Sequence, residues 1–360
     1  MNTNFISYEN EWGKIMKVLI LGGTRFLGRA LVEEALKRGH EVTLFNRGTN
    51  KDVFPEVEQL IGDRDSGVSC LANRKWDVVM DTCGFSPHQI KKIAAVLGDN
   101  IEHYTFISSI STYKDWIPLH IKEGYRVQPM PPSDKLKAVE DGEISPYEYY
   151  GALKVLCEEE AEKYWPGRVL HIRAGLLVGP FDYSDRLPYW VQRVAQGGKI
   201  MVPGRSDRPV QLIDVKDVAT WAFDMAETRK VGKFNVTGPN NRLTIEELLN
   251  TCKAVTNSDA EFVWAEEQFL IENKVKPWTE LPLWIPENFP LEGETEPWKG
   301  SFFISIEKAV NAGLSFRPIQ DTICDVYLWE KSRQDTERKA GISREREAEL
   351  LEVWFQKEIL

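Results

Sequence analysis

Short apolar runs alternate with amphipathic stretches through the first half of this 360-residue chain. The runs "KVLIL" (17–21), "EVTLF" (41–45), "WDVVMD" (76–81), "HYTFISS" (103–109) and "RVLHIRA" (168–174) have the length and β-branched content of strands. The segments between them carry apolar residues at helical spacing. Strands separated by helices need crossover connections, so the pattern predicts an α/β fold with a doubly wound parallel sheet and helices on both faces. A helix over 25–38 stops at Gly39, and a second begins at Ser86-Pro87, an N-cap followed by proline in the first turn. After Arg173 the chain is richer in Pro, Gly and Trp, and Thr244 with Glu247 forms the capping-box pattern of a further helix. The aromatics of 264–303 either line a pocket or pack a small irregular domain. From Lys331 the chain is highly charged, with Ala348, Leu351, Phe355 and Ile359 on one helical face that must dock. The expected division is an extension (1–15), a nucleotide-binding domain (16–175, with an insertion at 114–146), a smaller and mainly substrate-binding α/β domain (176–330) and a helical tail (331–360).

The stretch "LILGGTRFLGRALVEEALKRGHEVTLFNRG" (19–48) gives the first domain its chemistry. A strand, a glycine turn and a helix present free N–H groups to a pyrophosphate, and glycine lets phosphate approach the backbone. Gly22, Gly23 and Gly28 supply that turn, with Thr24, Arg25, Phe26 and Leu27 completing it, so a Rossmann dinucleotide site is expected. Arg25 takes the middle place of the usual GxxGxxG and leaves GGxxxxG, its long chain free to lie outward over the adenosine. The second strand ends in Asn46-Arg47, where an acidic residue would otherwise bind the ribose 2′-OH. Two arginines and no carboxylate favour NADP over NAD, which stays possible; the alternative is that Arg47 is only a solvated loop residue. Asp63 in "IGDRD" is placed to meet the adenine edge.

A second pattern lies in "SPYEYYGALKVLCEEEAEKYW" (145–165), where Tyr150 and Lys154 stand four apart on one helix face. An ammonium beside a phenol favours the phenolate, which can act as general base toward a substrate hydroxyl. A serine at a neighbouring strand end would hold the same oxygen, and "FISSISTY" offers Ser108, Ser109 and Ser111. On these motifs the chain resembles the extended, NAD-dependent epimerase/dehydratase-like branch of the short-chain dehydrogenase/reductase superfamily, in its atypical GGxxxxG subgroup, over roughly residues 16–330. The resemblance implies that Tyr150 is the general acid/base and that Lys154 binds the nicotinamide ribose and lowers the tyrosine pKa. It implies that Ser109 polarises the reacting oxygen, with Ser111 beside it on the substrate side. Cys83 and Gly84 would lie against the cofactor, and "RAGLLVGP", including Ala174 and Leu176, against the nicotinamide. It also implies a homodimer paired through the Tyr150 helix and the helix after Ser86.

Three departures bear on substrate. The spacing from Ser109 to Tyr150 is lengthened by the insertion, which is placed to cover a substrate. Ile110-Ser111 stand where the dehydratases carry Asp-Glu, which disfavours sugar dehydration. Val210 stands seven residues before Asp217, where sugar-nucleotide enzymes of this branch carry a diphosphate-binding arginine, with Arg205 and Arg208 close by. Arg208 is therefore the candidate substrate cation, and a small sugar-like, hydroxylated or carbonyl substrate is expected over a nucleotide-diphosphate sugar.

A net charge of −10 with no basic stripe opposes nucleic-acid binding. The five cysteines are scattered without CxxC or metal-ligand spacing, which indicates no metal site, no disulfide framework and a reduced cytoplasmic setting. No apolar run approaches the roughly 20 residues of a membrane span, so a soluble chain without membrane partners is expected, and 1–15 lacks the features of a leader. The function expected is an NAD(P)-dependent oxidoreductase or epimerase working by hydride transfer at a secondary alcohol or ketone. The alternatives are a nucleotide-sugar epimerase, an RNA-binding protein or a redox sensor on the same fold. "GGTRFLG" and "HEVTLFNRG" also resemble the chloroplast stem-loop-binding proteins. The acidic charge and the complete Ser, Tyr, Lys set weigh against the last two.

Overall fold

A computed structural model describes residues 15–333 and 337–359; apart from Ile15, the expected N-terminal extension lies outside the described residues. The chain opens with β1 (Lys17–Leu21), α1 (Phe26–Lys37), β2 (Glu41–Asn46), β3 (Glu58–Ile61), β4 (Trp76–Asp81), α2 (Pro87–Leu97) and β5 (Ile101–Ser109). It continues through α3 (Ser133–Glu140), α4 (Tyr150–Tyr164), β6 (Val169–Ala174), β7 (Leu177–Val178), α5 (Arg186–Ala195), β8 (Lys199–Pro203), β9 (Pro209–Val210) and β10 (Ile213–Asp214). Then come α6 (Val215–Glu227), β11 (Gly232–Val236), β12 (Leu243–Thr244), α7 (Ile245–Thr256), β13 (Glu261–Ala265) and α8 (Glu267–Glu272). The last three helices are α9 (Glu307–Asn311), α10 (Ile319–Ser332) and α11 (Arg344–Ile359).

Seven strands form one sheet in the order β11-β6-β5-β4-β1-β2-β3, and the pairs from β3 through β5 are parallel. This is the Rossmann-type sheet that the apolar runs predict. β1 shows why those runs work: after exposed Lys17 its remaining four residues are buried, as a strand covered by helices on both faces requires. In register, Lys17 lies opposite Glu41 and Leu21 opposite Phe45, so β1 and β2 end together and deliver their following turns to the same sheet edge.

The chain divides into two compact units and passes between them several times. The first holds the described residues through Ser108, Met130–Ile172 and Ala222–Gly232; the second holds Ser109–Pro129, Arg173–Trp221 and the described residues from Lys233. One core of the first unit joins β1, β4 and β5 to α2 and α4 through Leu19, Val79, Ile93, Phe106 and Cys157. In it the Tyr104 ring stacks on Trp165 at 4.4 Å.

The second unit is built around Trp190, Trp284, Leu248 and Ile323, from α5, α7, α10 and the loop after α8. The expected capping box forms at the head of α7: Glu247 N donates to Thr244 Oγ1 at 3.1 Å and Thr244 N to Glu247 Oε2 at 2.8 Å. The aromatic-rich stretch splits its roles. Trp264, Phe269 and Trp284 pack with this core, whereas Trp298 meets Trp116 of the insertion edge-on at 5.2 Å. Three backbone bonds lace the same two segments: Gly300 N to Trp116 O at 2.7 Å, His120 N to Phe303 O at 2.7 Å and Ser305 N to Ile121 O at 3.0 Å.

The tail docks on a different stripe from the one its sequence suggests. Glu347, Leu350 and Trp354 are buried, while Ala348 is exposed and Leu351 and Phe355 are only partly covered; the side chain of Ile359 lies outside the described residues. The displacement by about one position has a physical reason. Glu347 is an inward-facing carboxylate, accepting from Arg193 Nε at 2.7 Å and Met201 N at 3.2 Å, and a count of apolar positions passes over it. Among the described residues no helix is long and apolar enough to cross a membrane.

Glu347→Ala leaves the Arg193 guanidinium buried without its carboxylate, although its bonds to the Gly197 and Lys199 carbonyls remain. The expected cost is about 3 kcal/mol, the lower end for breaking a buried pair. Urea midpoints of this variant and of Glu345→Ala, an exposed control expected within about 0.5 kcal/mol of the parent, measure it.

Candidate active site

The turn between β1 and α1 is shaped for an anion. Gly22 and Gly23 hold φ of 107° and 91°, a left-handed region that side chains rarely adopt. A Cβ on Gly28 would stand 2.7 Å from Gly23 N, so the helix and the turn touch where only glycine fits. Arg25 precedes α1 with no side-chain cap, and no acidic residue sits in the first turn to oppose an anion at this helix start. This cradle fits a dinucleotide pyrophosphate. Phe26 and Leu27 are buried, while Arg25 is exposed and Thr24 half-buried.

At the end of β2, Asn46 Oδ1 accepts from Gly48 N at 2.7 Å and its amide donates to Gln59 at 3.2 Å, so Asn46 shapes its own turn, with Arg47 exposed beside it. Asp63 Oδ1 accepts from Asp65 N at 2.8 Å and is half-buried.

Its neighbour Arg64 is a residue that the sequence reading passed over. Arg64 is buried and grips Asp81 at the end of β4 with two bonds of 2.6 and 2.7 Å; Tyr104 donates to the same carboxylate at 2.5 Å. Burial alone would raise the Asp81 carboxyl, and the Arg64 guanidinium overrides it, holding Asp81 below the usual carboxylate range. Asp81 in turn accepts from Cys83 N at 3.0 Å and so sets the turn that carries Cys83 and Gly84. Gly84 admits no side chain, since a Cβ there would lie 2.8 Å from the Phe106 ring. No local signal in "GDRD" marks Arg64, because the partner that draws it inward lies seventeen residues further on.

Tyr150 opens α4 and Lys154 follows one turn later. Lys154 is 2% exposed and donates to the carbonyls of Gly84 and Ile107, both at 2.8 Å. Its Nζ lies 4.7 Å from the Phe106 ring centre, 5.0 Å from Phe85 and 5.8 Å from Tyr150. Burial pushes this ammonium down from the ordinary lysine range against the pull of Asp81. One of its three N–H donors is left over after the two carbonyls, which suits a ribose hydroxyl or the phenol. Tyr147 stacks on Tyr150 at 6.0 Å, and one turn beyond Lys154 the buried Glu158 accepts from Ser108 at 2.6 Å.

The first unit therefore brings together the glycine turn, Cys83, Gly84, Tyr150 and Lys154. Ser109, Ser111, Ala174, Leu176 and Arg208 belong to the second. Ser109 Oγ accepts from Ser111 N at 3.0 Å and donates to Ser111 Oγ at 3.1 Å. Ala174 and Leu176 are buried where the chain leaves β6. Arg208 is fully buried; one guanidinium nitrogen donates to Leu283 O at 2.7 Å, while Nε and the other nitrogen have no hydrogen-bond partner among the described residues. Burial pushes its pKa down to about 10. Arg205, by contrast, is spent on Glu287 and Asp207, and Val210 is buried in β9 opposite Leu243.

A parallel sheet with a glycine-lined helix start and a Tyr-Lys helix defines a nucleotide-binding α/β protein of the extended short-chain dehydrogenase/reductase type. The model of the NAD dependent epimerase/dehydratase family matches residues 18–237. The chain is 28% identical over 256 residues to the chloroplast stem-loop binding protein of 41 kDa b of Arabidopsis thaliana, covering 66% of this chain and 62% of that protein. It thus spans about three fifths of that relative's length. It is 27% identical to UDP-glucose 4-epimerase of Lactobacillus helveticus, covering 69% of this chain and 84% of that enzyme. UDP-glucuronic acid 4-epimerase of Bacillus cereus, solved in complex with NAD, has the same fold, with a TM-score of 0.62 at 14% identity over 88% of this chain and 99% of that one. The chain belongs to the NAD dependent epimerase/dehydratase family.

Gly28→Ala puts a methyl group against backbone that cannot swing aside. Its NADPH affinity, measured by fluorescence titration, is expected to fall at least about tenfold, the equivalent of one lost charge-assisted hydrogen bond.

Proposed function

We propose that this chain is an NADP-preferring oxidoreductase or epimerase that acts at a secondary alcohol or ketone of a small sugar-like or hydroxylated substrate. The observation that carries this reading is the buried Lys154 ammonium, fixed by two carbonyls with a donor to spare, one helical turn from Tyr150. The glycine turn would hold the pyrophosphate, Asp63 the adenine, and Lys154 the nicotinamide ribose; Cys83 and Gly84 would lie against the cofactor, and Ala174 and Leu176 against the nicotinamide. When bound, the nicotinamide accepts or returns a hydride. Tyr150 moves the proton of the reacting oxygen, with Lys154 favouring its phenolate, and Ser109 orients that oxygen beside Ser111. Arg25 and Arg47, with the uncharged Asn46, suit a 2′-phosphate.

The Arg208 donors without a partner favour a second reading, a nucleotide-sugar epimerase, in which that guanidinium meets a diphosphate. Thermal-shift screening with NADPH present separates the two: stabilisation by UDP- or dTDP-sugars that is lost in Arg208→Ala selects the second. The same family reading carries a homodimer through α2 and α4, a cytoplasmic location, in keeping with five free thiols, and no nucleic-acid partner, in keeping with the acidic charge.

Tyr150→Phe is expected to keep NADPH binding and lose about 10² to 10⁴ in turnover, with a smaller loss in Tyr149→Phe. Steady-state rates on a carbonyl panel measure both, and the reverse order removes Tyr150 from the role. Fluorescence titration is expected to show tighter binding of NADPH than NADH, a preference that Arg47→Asp reduces.

A further inference from the structure

The second unit contains a cavity of about 390 Å³ bounded by the first turn of α6, the start of α10 and the corner from β12 into α7. That volume lies within the range of small-molecule sites. Leu212, Pro239, Leu243, Phe316 and Ile319 give it an apolar wall.

Its charges are unevenly satisfied. Asp214 accepts from Arg317 at 3.0 Å, from Thr322 at 2.7 Å and from Lys216 N at 2.8 Å. Arg317 also pairs with Asp325 at 2.7 Å, and the Lys216 ammonium reaches the same carboxylate at 2.8 Å. Arg242 faces Asp207 at 3.6 Å. Glu247 gives one oxygen to the cap of α7. Asp217 differs from all of these: half-buried at the cavity wall, it receives one backbone donor, Arg317 N at 3.1 Å, and among the described residues no cationic side chain stands at ion-pairing distance from it.

A half-buried carboxylate with open lone pairs beside an apolar wall is costly to leave unmatched, and a ligand carrying both complements removes that cost. We propose that this cavity binds a small organic cation, an ammonium or guanidinium on a short apolar body, with the charged head on Asp217 and the body along Phe316 and Ile319. Glu247 supplies a second negative group at the rim. A carboxylate-bearing or neutral ligand of the same shape meets Asp217 and Glu247 with repulsion or with no gain.

Burial, reinforced by Asp214 and opposed by the Arg317 backbone N–H and guanidinium, pushes Asp217 up to about 6. The charged groups acting on it are Asp214 from its own segment and Arg317 from the approach to α10, with Glu247 and Arg242 lining the same cavity from the α7 corner and Lys216 and Asp325 paired with each other. Cation binding needs the ionised form, so affinity is full above that pKa and falls as pH drops through it. At about pH 5 roughly a tenth remains ionised, a loss of about tenfold.

Calorimetric titration of the full chain with hexylammonium chloride, hexanol and sodium hexanoate tests this, at about pH 7.5 and about pH 5. The expected result is saturable one-site binding of hexylammonium at the higher pH. Hexanol and hexanoate are expected to be at least about tenfold weaker, as is hexylammonium at the lower pH or with Asp217→Asn, which keeps an acceptor for Arg317 N. NADPH affinity of the variant is expected to be unchanged, showing that it folds. If the variant melts early, hexylammonium against hexanol on the parent chain decides alone. No saturable binding, equal binding of hexanol, or an unaltered affinity in folded Asp217→Asn overturns the proposal.

Discussion

A positive charge buried without a carboxylate partner of its own has to be solvated by something, and around Lys154 that is the backbone. The carbonyls of Gly84 and Ile107 and the faces of Phe85 and Phe106 do for the ammonium what water would otherwise do. This ties α4 to the turn after β4 and to the end of β5. An unpaired buried ammonium tolerates little displacement, because each lost acceptor exposes the full desolvation cost.

The Arg64–Asp81–Tyr104 cluster sets the same turn. Asp81 receives two guanidinium bonds, a phenol and the Cys83 N–H, so the backbone that offers Gly84 O to Lys154 is itself held by a saturated carboxylate. The lysine and the aspartate thus hold one turn at neighbouring residues, Gly84 and Cys83. The glycine cradle at β1 needs no such support: its shape follows from the close approach of Gly28 to Gly23.

Much of this was legible in the chain. Alternation of apolar runs and amphipathic helices gave the sheet because strands covered on both faces must be continuously apolar. The capping box at Thr244 and the proline start at Pro87 are local signals that survive folding unchanged. Tyr150 and Lys154 were readable because helical periodicity fixes their shared face. Arg64 was not, since nothing local distinguishes an arginine that turns inward to meet an aspartate seventeen residues later. The tail face was placed about one position off for the same reason: Glu347 faces inward to accept from Arg193 and Met201 N, both far back in the chain, while Leu351 and Phe355 pack only partly covered against the same core. Sequence pattern reports burial of apolar groups well and burial of paired charges poorly.

The role given to Lys154 is open to direct measurement. Fluorescence titration of NADPH into the parent chain and into Lys154→Met, which fills the space but donates nothing, tests it. One NADPH bound per parent chain and an affinity lower by at least about tenfold in folded Lys154→Met is the expected result. Equal affinity in the two proteins would contradict it and remove Lys154 from the cofactor site.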